Sequence, residues 1–210
     1  IEENHTYFAN SFLVHNCDTP YSWDFRKYSV KDEVKEMNYQ EVFNKVQKLS
    51  KDIKRVVITG GEPLLQEIEL CYLFALFKQN EYKIEIETNG TILPRELLLK
   101  NINQINCSPK ISNSGNVLSR REKSEVLRKL AQIDKVYFKF VVKDENDIEE
   151  ILEMVDKYGM NNSNIYLMPE GKYKVEQLDR QDKVKKLCNE FGFQFSPRLH
   201  ILKFGNRRGV

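Results

Sequence analysis

The sequence predicts an α/β fold in which a parallel sheet carries its helices on the outside. Three observations lead there. Runs suited to strands alternate with runs of helical periodicity along most of the chain. Polar clusters follow the strand-like runs: Gly60-Gly61-Glu62-Pro63, Glu87-Thr88-Asn89-Gly90, Ser108-Pro109-Lys110 and Pro169-Glu170-Gly171. Ligands of parallel sheets gather at the C-terminal strand ends, so this shared placement marks a site better than any single residue. Finally, the 210 residues supply about five or six β/α units, too few for a closed eight-stranded barrel.

The elements follow in order. Residues 24–37 are polar and aperiodic and read as a loop. Asn38 with Glu41 makes a helix start, and Val42, Val46 and Leu49 line one face of the helix. Arg55 to Thr59 is a β-branched run suited to a buried strand and is closed by Gly60-Gly61. A second helix runs to about Phe77, Lys83 to Thr88 alternates as a strand, and Ile102 to Cys107 is a short third strand. Val126, Leu127 and Leu130 then sit on a helix, and Lys135 to Val142 forms a strand. Asp144 caps a helix whose Ile148, Ile151, Leu152 and Val155 share a face, with Gly159 just beyond. Asn164 to Met168 is a strand ending at Pro169, and the last helix aligns Val184, Leu187, Cys188 and Phe191 before Gly192.

Composition narrows the function classes. The net charge is only +2, so no field argues for nucleic acid or a membrane surface as partner. The longest apolar run, Cys71 to Phe77, suits a buried helix face and is too short for a membrane span. The four cysteines, Cys17, Cys71, Cys107 and Cys188, lie far apart, with neither a disulfide framework nor a metal-ligand pair among them. A cytoplasmic protein is expected, with no signal peptide; the start at Ile1 suggests a fragment.

The first residues carry their own chemistry. In His15-Asn16-Cys17, the Asn16 amide can attack its own backbone carbonyl and cut the chain. His15 or His5 is suited to protonate the departing amine, and the Cys17 thiolate to accept an upstream segment. An ordinary strand, Phe12-Leu13-Val14, ending at a polar turn is the plain alternative. The whole run from Asn4 to Asn16 resembles the C-terminal end of an intein. Residues 1–16 are therefore expected to be an intein remnant, with His15, Asn16 and Cys17 catalysing splicing.

Downstream, Thr59-Gly60-Gly61-Glu62-Pro63 brings two glycines close to a ligand and offers a carboxylate to a cation. A Gly-Gly turn with a solvated Glu is the plain reading. The motif resembles the Gly-Gly-Glu-Pro segment of radical SAM enzymes, which holds the amino end of S-adenosylmethionine (SAM). Cys17-Asp18-Thr19-Pro20-Tyr21-Ser22-Trp23 resembles the last cluster cysteine and following residues of the 7-carboxy-7-deazaguanine synthase family within that superfamily. Glu87-Thr88-Asn89-Gly90-Thr91, Cys107-Ser108-Pro109-Lys110 and the ending from Pro197 to Val210 also look like that family.

The resemblance covers residues 17–210 and implies an incomplete (β/α) barrel of radical SAM type that lacks its N-terminal part. It implies a 4Fe–4S cluster with Cys17 as its third ligand, the first two cysteines being absent from this chain. It implies cofactor contacts at Thr59, Gly60, Gly61, Glu62, Glu87, Thr88, Asn89, Ser108 and Lys110. Mg²⁺ falls to Thr19, and substrate contacts fall to Asp18 and to His200 in a last strand. Alone, Thr19 reads as a turn residue, Lys110 as a surface lysine and His200 as a core histidine. Arg207 and Arg208 read as tail charges. The implied reaction converts 6-carboxy-5,6,7,8-tetrahydropterin to 7-carboxy-7-deazaguanine, on the route to queuosine or archaeosine. The implied partners are an electron donor such as flavodoxin or ferredoxin and a second copy in a homodimer. Two other readings stand beside it, a glycyl-radical activase of the same superfamily and a piece acting only as acceptor in splicing.

Overall fold

The computed structural model describes Ser29 and residues 35–205. The expectations for His5, His15, Asn16, Cys17, Asp18, Thr19, Arg207 and Arg208, and for most of the loop over 24–37, lie outside the described residues.

Among the described residues six strands stand in chain order in one sheet: β1 (Arg55–Ile58), β2 (Lys83–Thr88), β3 (Gln104–Cys107), β4 (Val136–Val142), β5 (Ile165–Pro169) and β6 (Gln194–Phe195). The pairs β1–β2, β4–β5 and β5–β6 are all parallel. Among the described residues the order begins at β1 and ends at β6 without returning, so the sheet they form is open, as the count of units predicts. The helices among the described residues are α1 (Tyr39–Ser50), α2 (Glu67–Gln79), α3 (Glu96–Leu99), α4 (Leu118–Arg121), α5 (Ser124–Leu130), α6 (Asp147–Tyr158), α7 (Lys174–Phe191) and α8 (Leu199–Phe204). The described residues divide into two compact units. One runs through Thr88 and includes Ile92–Ile105; the other comprises Asn89–Thr91 and the residues from Asn106 on.

In the first unit, α1 starts as expected. The Asn38 side chain accepts from the amides of Gln40 and Glu41 at 3.0 Å each, and Glu41 accepts from the Asn38 amide at 2.8 Å. This reciprocal cap satisfies donors that a helix N-terminus otherwise leaves open. The buried face is Val42 and Phe43, whereas Leu49 is 73% exposed and does not join it. The reason is aromatic packing: Phe43, Phe77 and Tyr82 cluster with centroids 5.2 to 6.3 Å apart, and this pulls the face toward Phe43. Leu70, Leu73, Phe74 and Phe77 of α2 are buried, as are Ile84 and Ile86 of β2.

β1 departs from the expected buried strand, for Val57 is 49% exposed. Among the described residues it is an edge strand, and register pairs Val56 with Ile84 and Ile58 with Ile86 on the apolar face. The other face is polar, with Arg55 paired to Glu85. Alternation along both strands forces this division, because successive side chains point to opposite faces.

In the second unit, β4 alternates strictly, burying Val136, Phe138, Phe140 and Val142. Helix α6 buries Ile148, Ile151, Met154 and Tyr158, so Met154 and Tyr158 take core positions that periodicity assigned to Leu152 and Val155. The N-cap is Asn146 and not Asp144, although Asp144 Oδ1 accepts from the Asn146 amide at 3.0 Å in the turn before the helix. The Oδ2 atom of Asp147, inside the first turn, accepts from the amides of Lys143 (2.7 Å) and Asp144 (3.3 Å). Gly159 and Gly192 end α6 and α7 in left-handed geometry, as their positions suggest.

His200 is not in a strand. β6 is only Gln194–Phe195; the Ser196 amide still reaches the Leu167 carbonyl at 2.9 Å, but Pro169, the last residue of β5, has no N–H to return to Ser196 and the ladder ends. The chain turns into α8, which buries Ile201 and leaves His200 exposed.

Candidate functional site at the strand ends

The first unit brings together residues that follow β1 and residues that end β2. After Ile58 the chain turns at Gly60, whose φ of 146° is open to glycine and strained for other residues. Glu62 is extended and caps a 3₁₀ turn, Pro63–Gln66, its Oε1 accepting from the Leu64 amide at 3.1 Å. The carboxylate is 4% exposed. Thr88, the last residue of β2 and also 4% exposed, donates its hydroxyl to both Glu62 oxygens at 2.9 Å. Thr59 donates to Glu87 Oε2 at 2.9 Å, tying the same two strand ends a second time. A buried carboxylate oriented by neutral donors at a strand end is suited to receive a cationic group. Of the expected cofactor residues, Thr59, Gly60, Gly61, Glu62, Glu87 and Thr88 therefore lie at adjoining ends of one strand pair.

In the second unit, Asn89 is 6% exposed, and its Oδ1 accepts from the Thr91 amide at 2.9 Å and hydroxyl at 2.6 Å. Gly90 between them has φ 77°, and a Cβ there would lie 2.7 Å from Cys107 Sγ. Ser108 and Lys110 leave the end of β3 half-buried. His200 lies on α8.

The described cysteines, Cys71, Cys107 and Cys188, belong to no group of side chains that could hold a metal ion. Cys107 and Cys188 are core residues, at 0% and 3% exposure, and burial pushes the thiols of Cys71 and Cys188 up from their ordinary value. Among the described residues no group of three or more His, Cys, Asp or Glu side chains could hold a metal ion. No helix of the described residues is long and apolar enough to cross a membrane.

Sequence reasoning missed two residues near the β3 end. Arg121, 8% exposed, pairs with Glu150 at 2.5 Å and donates to the Lys110 carbonyl at 3.1 Å. Burial pushes the Glu150 carboxyl up, but bonds from the Ser112 hydroxyl and amide and from Arg121 outweigh it and hold it below its ordinary range. An Arg-Arg pair in a polar stretch carries no signal that one of them is buried. The same loop buries Ile111, which is 2% exposed.

Comparison with known proteins gives consistent results. The family model of the radical SAM superfamily matches residues 16–180. A 7-carboxy-7-deazaguanine synthase of Pyrobaculum aerophilum is 33% identical over 193 residues, covering 92% of this chain and 81% of that protein. The protein of the same name from Bacillus cereus is 28% identical over 210 residues, covering 92% and 84%. The crystal structure of QueE from Escherichia coli superimposes with a TM-score of 0.63 at 22% identity, covering 89% of this chain and 80% of that one, which is a likeness of fold.

Proposed function

Because the chain belongs to the radical SAM superfamily and, within it, to the 7-carboxy-7-deazaguanine synthases, we infer that it carries out that family's reaction. The reaction is the ring contraction of 6-carboxy-5,6,7,8-tetrahydropterin to 7-carboxy-7-deazaguanine with loss of ammonia. The observation that carries the reading is the Glu62 carboxylate, buried at the strand ends and held by Thr88, in a chain whose relatives share one name.

The residues present fit the amino end of SAM. Glu62 would receive the ammonium and Gly60 and Gly61 would let the backbone approach, while Thr88 holds the carboxylate in one orientation. Thr59 and Glu87 hold the two strand ends together, so the carboxylate is oriented before the cofactor arrives. Asn89, Ser108 and Lys110 keep their assignment as cofactor contacts on the family resemblance. When bound, SAM and a 4Fe–4S cluster supply the radical that abstracts a substrate hydrogen. Cys17 is assigned as a cluster ligand, Thr19 as a Mg²⁺ ligand, and Asp18 and His200 as pterin contacts. The wider setting proposed is cytoplasmic, with a flavodoxin or ferredoxin as electron donor and a homodimer as the working form.

Residues 1–16 are proposed as an intein end removed before the enzyme works, leaving residues 17–210 as the radical SAM domain. Intact mass of the protein from its native host tests this. Cys17 joined to a foreign upstream segment is expected, and a mature product that keeps Ile1 to Asn16 would contradict it. Asn16→Ala blocks release by removing the cyclising amide.

The functional reading is tested by anaerobic SAM cleavage with the full-length, cluster-loaded protein. Cleavage that depends on the pterin is expected. Cleavage indifferent to the pterin but stimulated by a glycyl-radical partner protein would assign the chain to the activases instead.

A further inference from the structure

The loop that leaves β3 is pinned far more firmly than a surface connection requires. Arg121 Nη1 reaches both the Lys110 carbonyl (3.1 Å) and Glu150 Oε1 (2.5 Å). The second oxygen of Glu150 accepts from the Ser112 amide at 2.8 Å. Asn113 donates to the Val141 carbonyl at 2.9 Å and to Asp147 Oδ2 at 2.8 Å. Asp147 in turn accepts from the Lys143 amide, so the same carboxylate joins the β3 loop to the turn after β4. Ser114 closes the loop on the Ile111 carbonyl at 2.7 Å. The side chains of Arg121 and Glu150 are only 8% and 20% exposed.

A buried ion pair is an uneconomical way to gain stability, since well-packed apolar residues of similar volume often serve as well or better. The Arg121 Nε is also buried with no partner, a further cost of keeping a guanidinium at this place. What an apolar pair cannot do is hold a carbonyl and an amide two residues apart in one fixed relation. Arg121 and Glu150 do this for Lys110 and Ser112, immediately after the Ser108-Pro109-Lys110 segment.

We propose that Arg121 and Glu150 are positioning residues for SAM: they fix the backbone of the β3 loop so that Ser108 and Lys110 meet the cofactor in one geometry. The pair acts through the loop and does not itself touch the cofactor. This rests on the functional reading above, with Ser108 and Lys110 as cofactor contacts.

The test uses the full-length, cluster-loaded enzyme and the double variant Arg121→Met/Glu150→Leu, which leaves no single buried charge behind. Arg121→Lys serves as the conservative variant, and Lys185→Met as a control. Lys185 belongs to a separate, exposed ion pair of the same unit, with Asp182 on α7. SAM affinity is measured by calorimetry, exchange at the Ser112 amide by mass spectrometry, and KM for both SAM and the pterin by steady-state turnover. The double variant is expected to keep its melting temperature within a few degrees. It should exchange faster at Ser112 and bind SAM more weakly by on the order of tenfold, with the pterin KM unchanged. Arg121→Lys should recover part of the SAM affinity, and Lys185→Met should leave it alone.

A double variant that exchanges faster at Ser112 but binds SAM within twofold of the parent would overturn the proposal. Equal losses for SAM and pterin with a collapsed melting temperature would overturn it as well, by making the pair merely structural. A parent enzyme that fails to bind SAM would overturn the functional reading and this proposal together, a result distinct from both.

Discussion

The hydroxyl of Thr88 donates to both carboxylate oxygens of Glu62, each at 2.9 Å, across the adjoining ends of β2 and β1. Both residues are 4% exposed, so this bond fixes the orientation of a buried anion. Thr88→Val keeps the shape and removes the donor. A loss of about 1–3 kcal/mol in stability is expected from the lost buried hydrogen bond, together with weaker SAM binding. Denaturant unfolding and calorimetry on the same variant measure the two, and unchanged SAM affinity would detach Thr88 from the cofactor.

Glu62→Gln separates charge from geometry. The amide oxygen can still accept from the Leu64 amide and the Thr88 hydroxyl, but the charge that attracts an ammonium is gone. SAM affinity should fall roughly 10–100-fold, the scale of a hydrogen bond to a charged group. Stability should change far less, and a parallel fall in both would mean that Glu62 is structural.

Gly90 tests the turn after β2. Its φ of 77° disfavours any side chain, and a Cβ would sit 2.7 Å from Cys107 Sγ and 3.0 Å from Leu127 Cδ2. Gly90→Ala is expected to cost about 1–3 kcal/mol through backbone strain and overpacking. Adding Cys107→Ala relieves the closer contact and should return part of that loss. No recovery would show that the strain is all in the backbone.

Acid stability reports on the Glu150 pair. The folded carboxyl is held below its ordinary value of 4.5, so the unfolded chain binds the proton more readily. Its contribution is present above 4.5 and is lost as pH falls below that toward the depressed folded value. Melting temperature against pH should therefore drop less steeply below 4.5 for Glu150→Gln than for the parent. Glu122, held down in the same direction by Lys157 and Tyr158 against the opposing effect of burial, retains its share of the slope in both proteins. Identical slopes would remove Glu150 from the acid transition.

Local signals carried much of the fold. Strand β2 runs over the residues its alternation marks, α1 begins at the Asn38–Glu41 cap, and α6 and α7 end at Gly159 and Gly192. The misreadings share a cause, which is that burial is decided by tertiary partners. Leu49 and Val57 look like core residues by periodicity, yet Phe43 takes the helix face and β1 lies at an edge. His200 looks like a strand residue, but the β5–β6 ladder ends at Pro169, which has no N–H to give, and the chain turns into α8. The candidate site was legible at Thr59 to Glu62 and at Glu87 and Thr88 because glycine and carboxylate there follow recognisable strands. Arg121 and Glu150 were not, since nothing local distinguishes a buried arginine from the solvated Arg120 beside it.

The most direct measurement is the product of the full-length enzyme, reduced and supplied with cluster, SAM and Mg²⁺, on 6-carboxytetrahydropterin. Chromatography with mass spectrometry should find 7-carboxy-7-deazaguanine, with ammonia released and one nitrogen lost from the pterin, in the parent and not in Glu62→Gln at limiting SAM. Pterin recovered intact by an enzyme that demonstrably binds SAM would contradict the account.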